Sequence, residues 1–340
     1  MNTPEPTRPD AATAPASPAV VLEDLRRDYA VRAAEPGERR RRRRIVRAVD
    51  QVSLRIERGE AVGFVGANGA GKSTTIKMMT GILRPTAGSV RVLGRDPVPE
   101  RRRLAREIGV VFGQRSQLWW DLPLRESYGI LGAMHRLTER QREARLERLV
   151  EGLGLATFLS RPVRQLSLGQ RMRGEVAAAL LHSPELVVLD EPTIGLDLVS
   201  KEGLRRFLRE DRAERGSTLF LTTHDMGDVE RLCERIVVVS EGTVAYDGSL
   251  EDFRRHLGAP RELIVDLAAP RDHLELPPGV QESGVEADGI RHRLRFSGQE
   301  HTVPGILAAI GAQAEVRDLS LSEPAIEDLV RRIAQNGPTA

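Results

Sequence analysis

Short apolar runs, set off by glycine-rich turns and by charged stretches of helical period, lay out the plan of this chain. Residues 20–22 open a predicted strand that ends near Tyr29, and residues 52–56 form a second that leads to a turn at Gly59. Residues 61–65 are a short apolar run bounded by glycine-rich sequence, which suits a buried parallel strand. The pattern returns at 108–112, 186–189, 218–222 and 236–239, with helical stretches such as 201–209 between some of these runs. Strands that alternate with helices predict an α/β core. From Leu124 to Arg164 the chain turns helical and charged, predicting a helical subdomain at about 124–165 inserted into that core. After about Ala259 the texture becomes α+β, with strands expected at 262–267, 290–296 and 315–319 and helices at 303–310 and 324–334.

Length agrees with this division, since 340 residues exceed one minimal domain. The expected layout is a disordered tail at 1–18, rich in Ala, Pro and Thr, a major domain at 19–258, and an accessory domain at 259–340. Charged residues make up 29% of the chain but leave a net charge of only +2, so nothing global points to nucleic acid. Any basic contact must be local, and the six arginines at 39–44, in a predicted polar loop, are the longest run of that kind. Lysine is scarce: Lys72, Lys77 and Lys201 are the only three among 51 basic residues, so a lysine at a motif position is not background. The single cysteine, Cys233, allows no internal disulfide, reads as half-buried packing, and fits a reducing cytoplasm. The most apolar window, 176–189, is cut by His182, Pro184 and Glu185, short of the roughly 20 apolar residues of a membrane span.

Two motifs carry chemistry. Gly66-Ala67-Asn68-Gly69-Ala70-Gly71-Lys72-Ser73 directly follows a predicted strand and precedes a helical segment that begins with Thr74. Its glycines let backbone N–H groups wrap phosphates, and the helix behind directs its positive end at them. Lys72 would neutralise β- and γ-phosphate oxygens and the Ser73 hydroxyl would ligate Mg²⁺. Alone, this loop predicts only a nucleoside triphosphatase. The second motif is an apolar strand ending in two acids, Asp190 and Glu191. A buried carboxylate pair is costly unless a cation or hydrogen bonds compensate it, and Mg²⁺ bound to ATP would compensate Asp190. Glu191 is then placed to polarise the attacking water.

Leu166-Ser167-Leu168-Gly169-Gln170, ending 20 positions before Asp190, makes the chain resemble the ABC ATPase family. That signature usually has glycine where this chain has Leu168. The same segment also reads as an ordinary helix start capped by Ser167, and both readings can hold because a helix N-terminus binds phosphate. The resemblance implies a cassette with a RecA-like core, a helical signature subdomain and an antiparallel β subdomain, followed here by the small α+β domain. It implies that Gln114 touches Mg²⁺ and the attacking water, that His224 contacts the γ-phosphate, that Tyr29 stacks on adenine, and that Gly195-Leu196-Asp197 communicates across a dimer. Ser167, Gly169 and Gln170 are expected to complete the phosphate site of the opposite subunit, so ATP and Mg²⁺ sit between two copies or between paired cassettes.

The segment from Ile108 through Trp119 and Trp120 to Pro123 is similar to the subgroup paired with ABC-2 type permeases, mostly exporters. The two tryptophans suit either core packing or a membrane-coupling surface. One phosphate loop and one signature weigh against the two-cassette ribosomal class, and the 52 residues between Gln114 and Ser167 leave no room for the coiled coil of repair ATPases. The function expected is therefore the ATP-hydrolysing subunit of a transporter, peripheral on the cytoplasmic face of the membrane; a soluble regulatory ATPase of the same family is the alternative. The arginines at 39–44 read either as solvated, self-repelling charge or as a tether to anionic lipid or an acidic permease surface.

Overall fold

A computed structural model describes residues 17–33, 42–113, 115–256, 261–297, 300–322 and 330. The chain divides into two compact units, Met1–Val244 and Ala245–Ala340.

The first unit opens with β1 (Val20–Ala33) and β2 (Arg42–Ile56), a long antiparallel pair to which β4 (Ala87–Val92) adds on the other side of β1. The parallel core contains β3 (Ala61–Gly66), β5 (Ile108–Val111), β6 (Leu186–Asp190), β7 (Thr218–Thr222) and β8 (Arg235–Ser240). Its order is β5-β6-β7-β3-β8, so β7 separates β3 from β6 although all three are far apart in sequence. Every residue of β3 and of β7 is buried, which explains why these strands read as short apolar runs without alternation. Helices α1 (Lys72–Met79), α2 (Arg101–Leu104), α3 (Leu124–Met134), α4 (Glu139–Gly152), α5 (Leu168–Leu180), α6 (Leu198–Arg215) and α7 (Met226–Leu232) connect and cover the strands. Helices α3 and α4 occupy the charged stretch before the signature. Arg145 of α4 anchors to Asp211 of α6 through a buried ion pair, with Nη2 to Oδ2 at 2.8 Å. Cys233 is buried, and burial pushes its thiol pKa up, so it packs as an apolar group.

Strand β9 (Thr243–Ser249) and helix α8 (Leu250–His256) follow. The second unit carries a four-stranded antiparallel sheet of β10 (Arg261–Leu267), β11 (Gln281–Glu286), β12 (Arg291–Phe296) and β13 (Val316–Ser322), in the order β11-β12-β10-β13. Helix α9 (Val303–Gly311) closes a small core in which Leu263, Val265, Leu294 and Phe296 meet Ile306 and Ile310. Of the helix expected at 324–334, only Val330 lies among the described residues, and residues 1–16 of the expected tail lie outside them.

One expectation is corrected here. The arginine run is not all loop: β1 continues past Tyr29 to Ala33, and β2 begins at Arg42, with Tyr29 opposite Val46, Val31 opposite Arg44 and Ala33 opposite Arg42. Residues 39–41 lie outside the described residues. A ladder needs only backbone groups from each residue, so arginines can extend a strand as apolar residues do. Strands β4, β9 and β11 were not legible either: β4 and β11 are mostly exposed and no residue of β9 is fully buried, so they show no continuous apolar run.

Candidate active site

Because β6, β7 and β3 are neighbours and parallel, the segments leaving their carboxyl ends converge on one edge of the sheet. The phosphate loop leaves β3, the acid pair ends β6, and Thr223-His224 leaves β7.

Within the loop, Gly71 is indispensable on two counts. Its φ is +104°, and a Cβ there would lie 2.4 Å from the carbonyl oxygen of Ala48 in β2. The loop thus leans on the strand opposite Tyr29's neighbours, which places the antiparallel sheet beside the phosphate cradle. Gly66, Asn68, Gly69 and Ala70 form the rest of the turn, closed by Ala70 N–H donating to the Ala67 carbonyl at 3.1 Å. Lys72, at the start of α1, is buried and its Nζ donates to the carbonyls of Gly66 at 2.7 Å and Ala67 at 3.1 Å. Burial lowers its pKa, while Glu191 and Asp190 act to hold the charge in place. Thr74 sits half-buried behind Ser73.

Ser73 Oγ lies 3.5 Å from Asp190 Oδ2, and the other oxygen of Asp190 accepts from Thr222 Oγ1 at 2.6 Å. A hydroxyl and a carboxylate on adjacent elements are the hard oxygen donors a divalent ion prefers. Glu191 has φ +57°, a left-handed conformation that costs a non-glycine residue about 1 kcal/mol or more. It is held there by its own N–H donating to the Thr222 carbonyl at 2.9 Å. Its carboxylate receives the His224 backbone N–H at 3.2 Å and lies 3.3 Å from His224 Nε2. Burial raises the Glu191 pKa, against the opposing pull of the His224 charge and N–H, and a raised pKa suits a base working near neutrality. Gly113 approaches the same place, since a Cβ on it would meet the Asp190 carbonyl at 3.2 Å and Glu191 Cβ at 3.6 Å. Gln114 follows it and lies outside the described residues.

The signature forms a second cluster. Ser167 caps α5 and forms a reciprocal box with Gln170: Gln170 N–H donates to Ser167 Oγ at 3.2 Å, and Ser167 N–H to Gln170 Oε1 at 3.0 Å. Gly169 packs against the backbone of Gly195, where a Cβ would fall 2.9 Å from the carbonyl oxygen, and the Leu168 side chain lies against Gly195. The leucine remains 45% exposed. Asp197 caps α6, accepting from Ser200 N–H at 2.8 Å and Ser200 Oγ at 2.9 Å, bonds that lower its pKa. Among the described residues no hydrogen bond joins this cluster to the phosphate loop. Tyr29 is half-exposed on β1 with the Arg27 guanidinium 4.8 Å above its ring.

Three residues that sequence reasoning missed support these clusters. Thr222 fixes Asp190. Asp228, fully buried, receives the hydroxyls of Thr193, just after Glu191, and of Thr223, just before His224. Glu175 of α5 takes the Ser116 hydroxyl and the Gln117 N–H at 3.1 Å, tying the loop after Gln114 to the signature helix; burial raises its pKa. Neither Asp228 nor Glu175 lies in a recognisable motif, so no local pattern marked them.

A cradle of backbone donors with one buried lysine, facing a carboxylate pair and a histidine, can hold a nucleoside triphosphate and direct water at its last phosphate, which in class defines a phosphate-loop triphosphatase. The ABC transporter family profile matches residues 49–194. The chain is 36% identical over 212 residues to the ABC transporter ATP-binding protein NatA of Bacillus subtilis, covering 62% of this chain and 86% of NatA. It is 32% identical over 291 residues to the daunorubicin resistance ATP-binding protein DrrA3 of Streptomyces coeruleorubidus, covering 83% of this chain and 90% of the other. A dimeric ATP-binding cassette solved in a post-hydrolysis state with ADP and Pi matches with a TM-score of 0.59 and 28% identity, over 68% of this chain and 98% of that one. The chain belongs to the ABC transporter family, as an ATP-binding subunit with ATPase activity.

Proposed function

We propose that this chain drives an ABC-2 type exporter from the cytoplasmic face of the membrane, as a homodimer that closes on two Mg-ATP. The backbone of Gly66, Asn68, Gly69, Ala70, Gly71 and Thr74 and the Lys72 ammonium bind the phosphates. Ser73, Asp190 and Gln114 hold Mg²⁺, which when bound neutralises phosphate charge. Glu191 takes the proton of the attacking water, His224 contacts the γ-phosphate, and Tyr29 stacks on adenine. Ser167, Gly169, Gln170 and Asp197 serve the ATP of the other copy.

The observation that carries this reading is the hydrogen-bonded pairing of Glu191 with His224 beside Ser73 and Asp190. Export is supported by the similarity to a Nod factor export ATP-binding protein of Burkholderia pseudomallei, 39% identical over 216 residues. A peripheral, permease-bound location agrees with the absence, among the described residues, of any helix long and apolar enough to cross a membrane. Trp119 and Trp120, 36% and 52% exposed, offer the permease an aromatic surface, and Arg171 stacks 5.6 Å above the Trp120 ring. The basic β1–β2 arm adds a contact with anionic lipid.

The test is Glu191→Gln in the presence of the permease. Turnover should drop by about 100-fold or more while ATP binding persists and a closed dimer accumulates. Near-normal turnover would remove Glu191 as the base.

A further inference from the structure

Asp228 lies in α7, outside every motif named above, yet it is fully buried and its two oxygens serve four donors. Oδ2 accepts the hydroxyl of Thr193 at 2.6 Å and that of Thr223 at 2.9 Å. Oδ1 accepts Arg205 Nε at 2.7 Å and lies 2.6 Å from Arg205 Nη2. Arg205, on α6, extends the same guanidinium to Asp225 Oδ1 at 3.0 Å, and Asp225 also takes Lys201 Nζ at 2.6 Å. The positions of the two threonines decide what this hub controls. Thr193 is two residues beyond Glu191, and Thr223 immediately precedes His224. Thr223 Oγ1 in turn receives the N–H of Asp225, so the turn carrying His224 is pinned on both sides.

A buried carboxylate is tolerated only when fully paired, and this one is paired by groups that belong to two loops and a helix rather than to its own element. One oxygen clamps the segment after Glu191 to the turn before His224. The other ties both to α6, the helix that Asp197 caps. The left-handed conformation of Glu191 needs such outside support, because a strained backbone persists only where its surroundings over-determine it.

We propose that Asp228 is the positioning residue of the hydrolytic site: it holds Glu191 and His224 in register with each other, and through Arg205 it carries that register to the segment facing the second copy. The proposal rests on the reading that Glu191 and His224 act on the attacking water and the γ-phosphate. Asparagine has nearly the same shape but presents a single acceptor oxygen, so it cannot take two hydroxyls and a guanidinium at once.

Full-length Asp228→Asn, Thr223→Val and Thr193→Val are assayed for kcat, KM for Mg-ATP and melting temperature, with Thr223→Ser and Thr193→Ser as hydroxyl-retaining partners. Asp211→Asn serves as a control, because Asp211 is an equally buried carboxylate paired with Arg145 away from the phosphate loop. We expect Asp228→Asn to lower kcat by between about 10- and 100-fold with KM changed less than about threefold, the valine variants to share part of that loss, and the serine variants to restore it. Asp211→Asn should lose melting temperature but keep kcat. The proposal is overturned if Asp228→Asn keeps kcat within about threefold, or if its kcat and KM move only as they do in Asp211→Asn. Should Asp228→Asn not fold, the threonine variants decide the matter by the same criteria. Glu191→Gln is run alongside: normal turnover there sinks the base reading alone, whereas Asp228 fails only on its own variants.

Discussion

His135 and His182 stack with ring centroids 3.7 Å apart, and neither Nδ1 finds a hydrogen-bond partner among the described residues. His182 Nε2 lies 3.0 Å from the Ile108 carbonyl, which only accepts, so Nε2 carries the hydrogen. Burial, and then the neighbouring His135, push the His182 pKa down to about 4. The unfolded chain would bind this proton near pH 6.5, so stability from the neutral ring is fully present above that pH. It falls as pH drops from 6.5 toward about 4, by roughly 3 kcal/mol. Urea midpoints across that range should slope less steeply for His182→Gln than for wild type, and equal slopes would refute the assignment. At this scale the sequence was readable where chemistry demands one residue type, as at Lys72, Ser73, Asp190 and Glu191. It was silent at Thr222, Glu175 and Asp228, because a threonine or an acid acquires a role only from the groups that fold against it.

Among elements, the β1–β2 arm departs furthest from its expected form. Its described portion exposes Val31, Ile45 and Val46 beside Arg44 and Arg47, an arrangement of basic and apolar groups that suits an anionic interface. Wild-type protein should co-sediment with phosphatidylserine-containing vesicles at low salt, and less so as salt rises. Changing all six arginines at 39–44 to serine should abolish that difference from neutral vesicles. If the two proteins partition equally, and the variant still assembles with its permease and transports, the arm is solvated charge only. The helix start at Ser167 was legible, and the structure adds a second of the same kind at Thr138. Ser167 with Gln170 and Thr138 with Gln141 both form the reciprocal caps that their spacing allows, since a cap is decided within four residues.

For the whole molecule, mixing variants tests the proposal that sites are shared between copies. Lys72→Ala and Ser167→Arg should each be inactive alone, because in a homodimer every composite site carries the lesion. Mixed heterodimers hold one intact site and should regain up to about half of wild-type turnover if the sites act independently. No recovery in proven heterodimers, measured with Mg-ATP, would argue against shared sites. The sequence by itself determined the alternation of strand and helix, the phosphate loop, the acid pair and the signature, since each is set by contiguous residues whose backbone and side chains act locally. Only the tertiary structure decided that β7 lies between β3 and β6, that Glu191 meets His224, and that the arginine run enters a strand. Those outcomes depend on which distant segment supplies the hydrogen-bond partner and the burial, and no window of sequence contains that information.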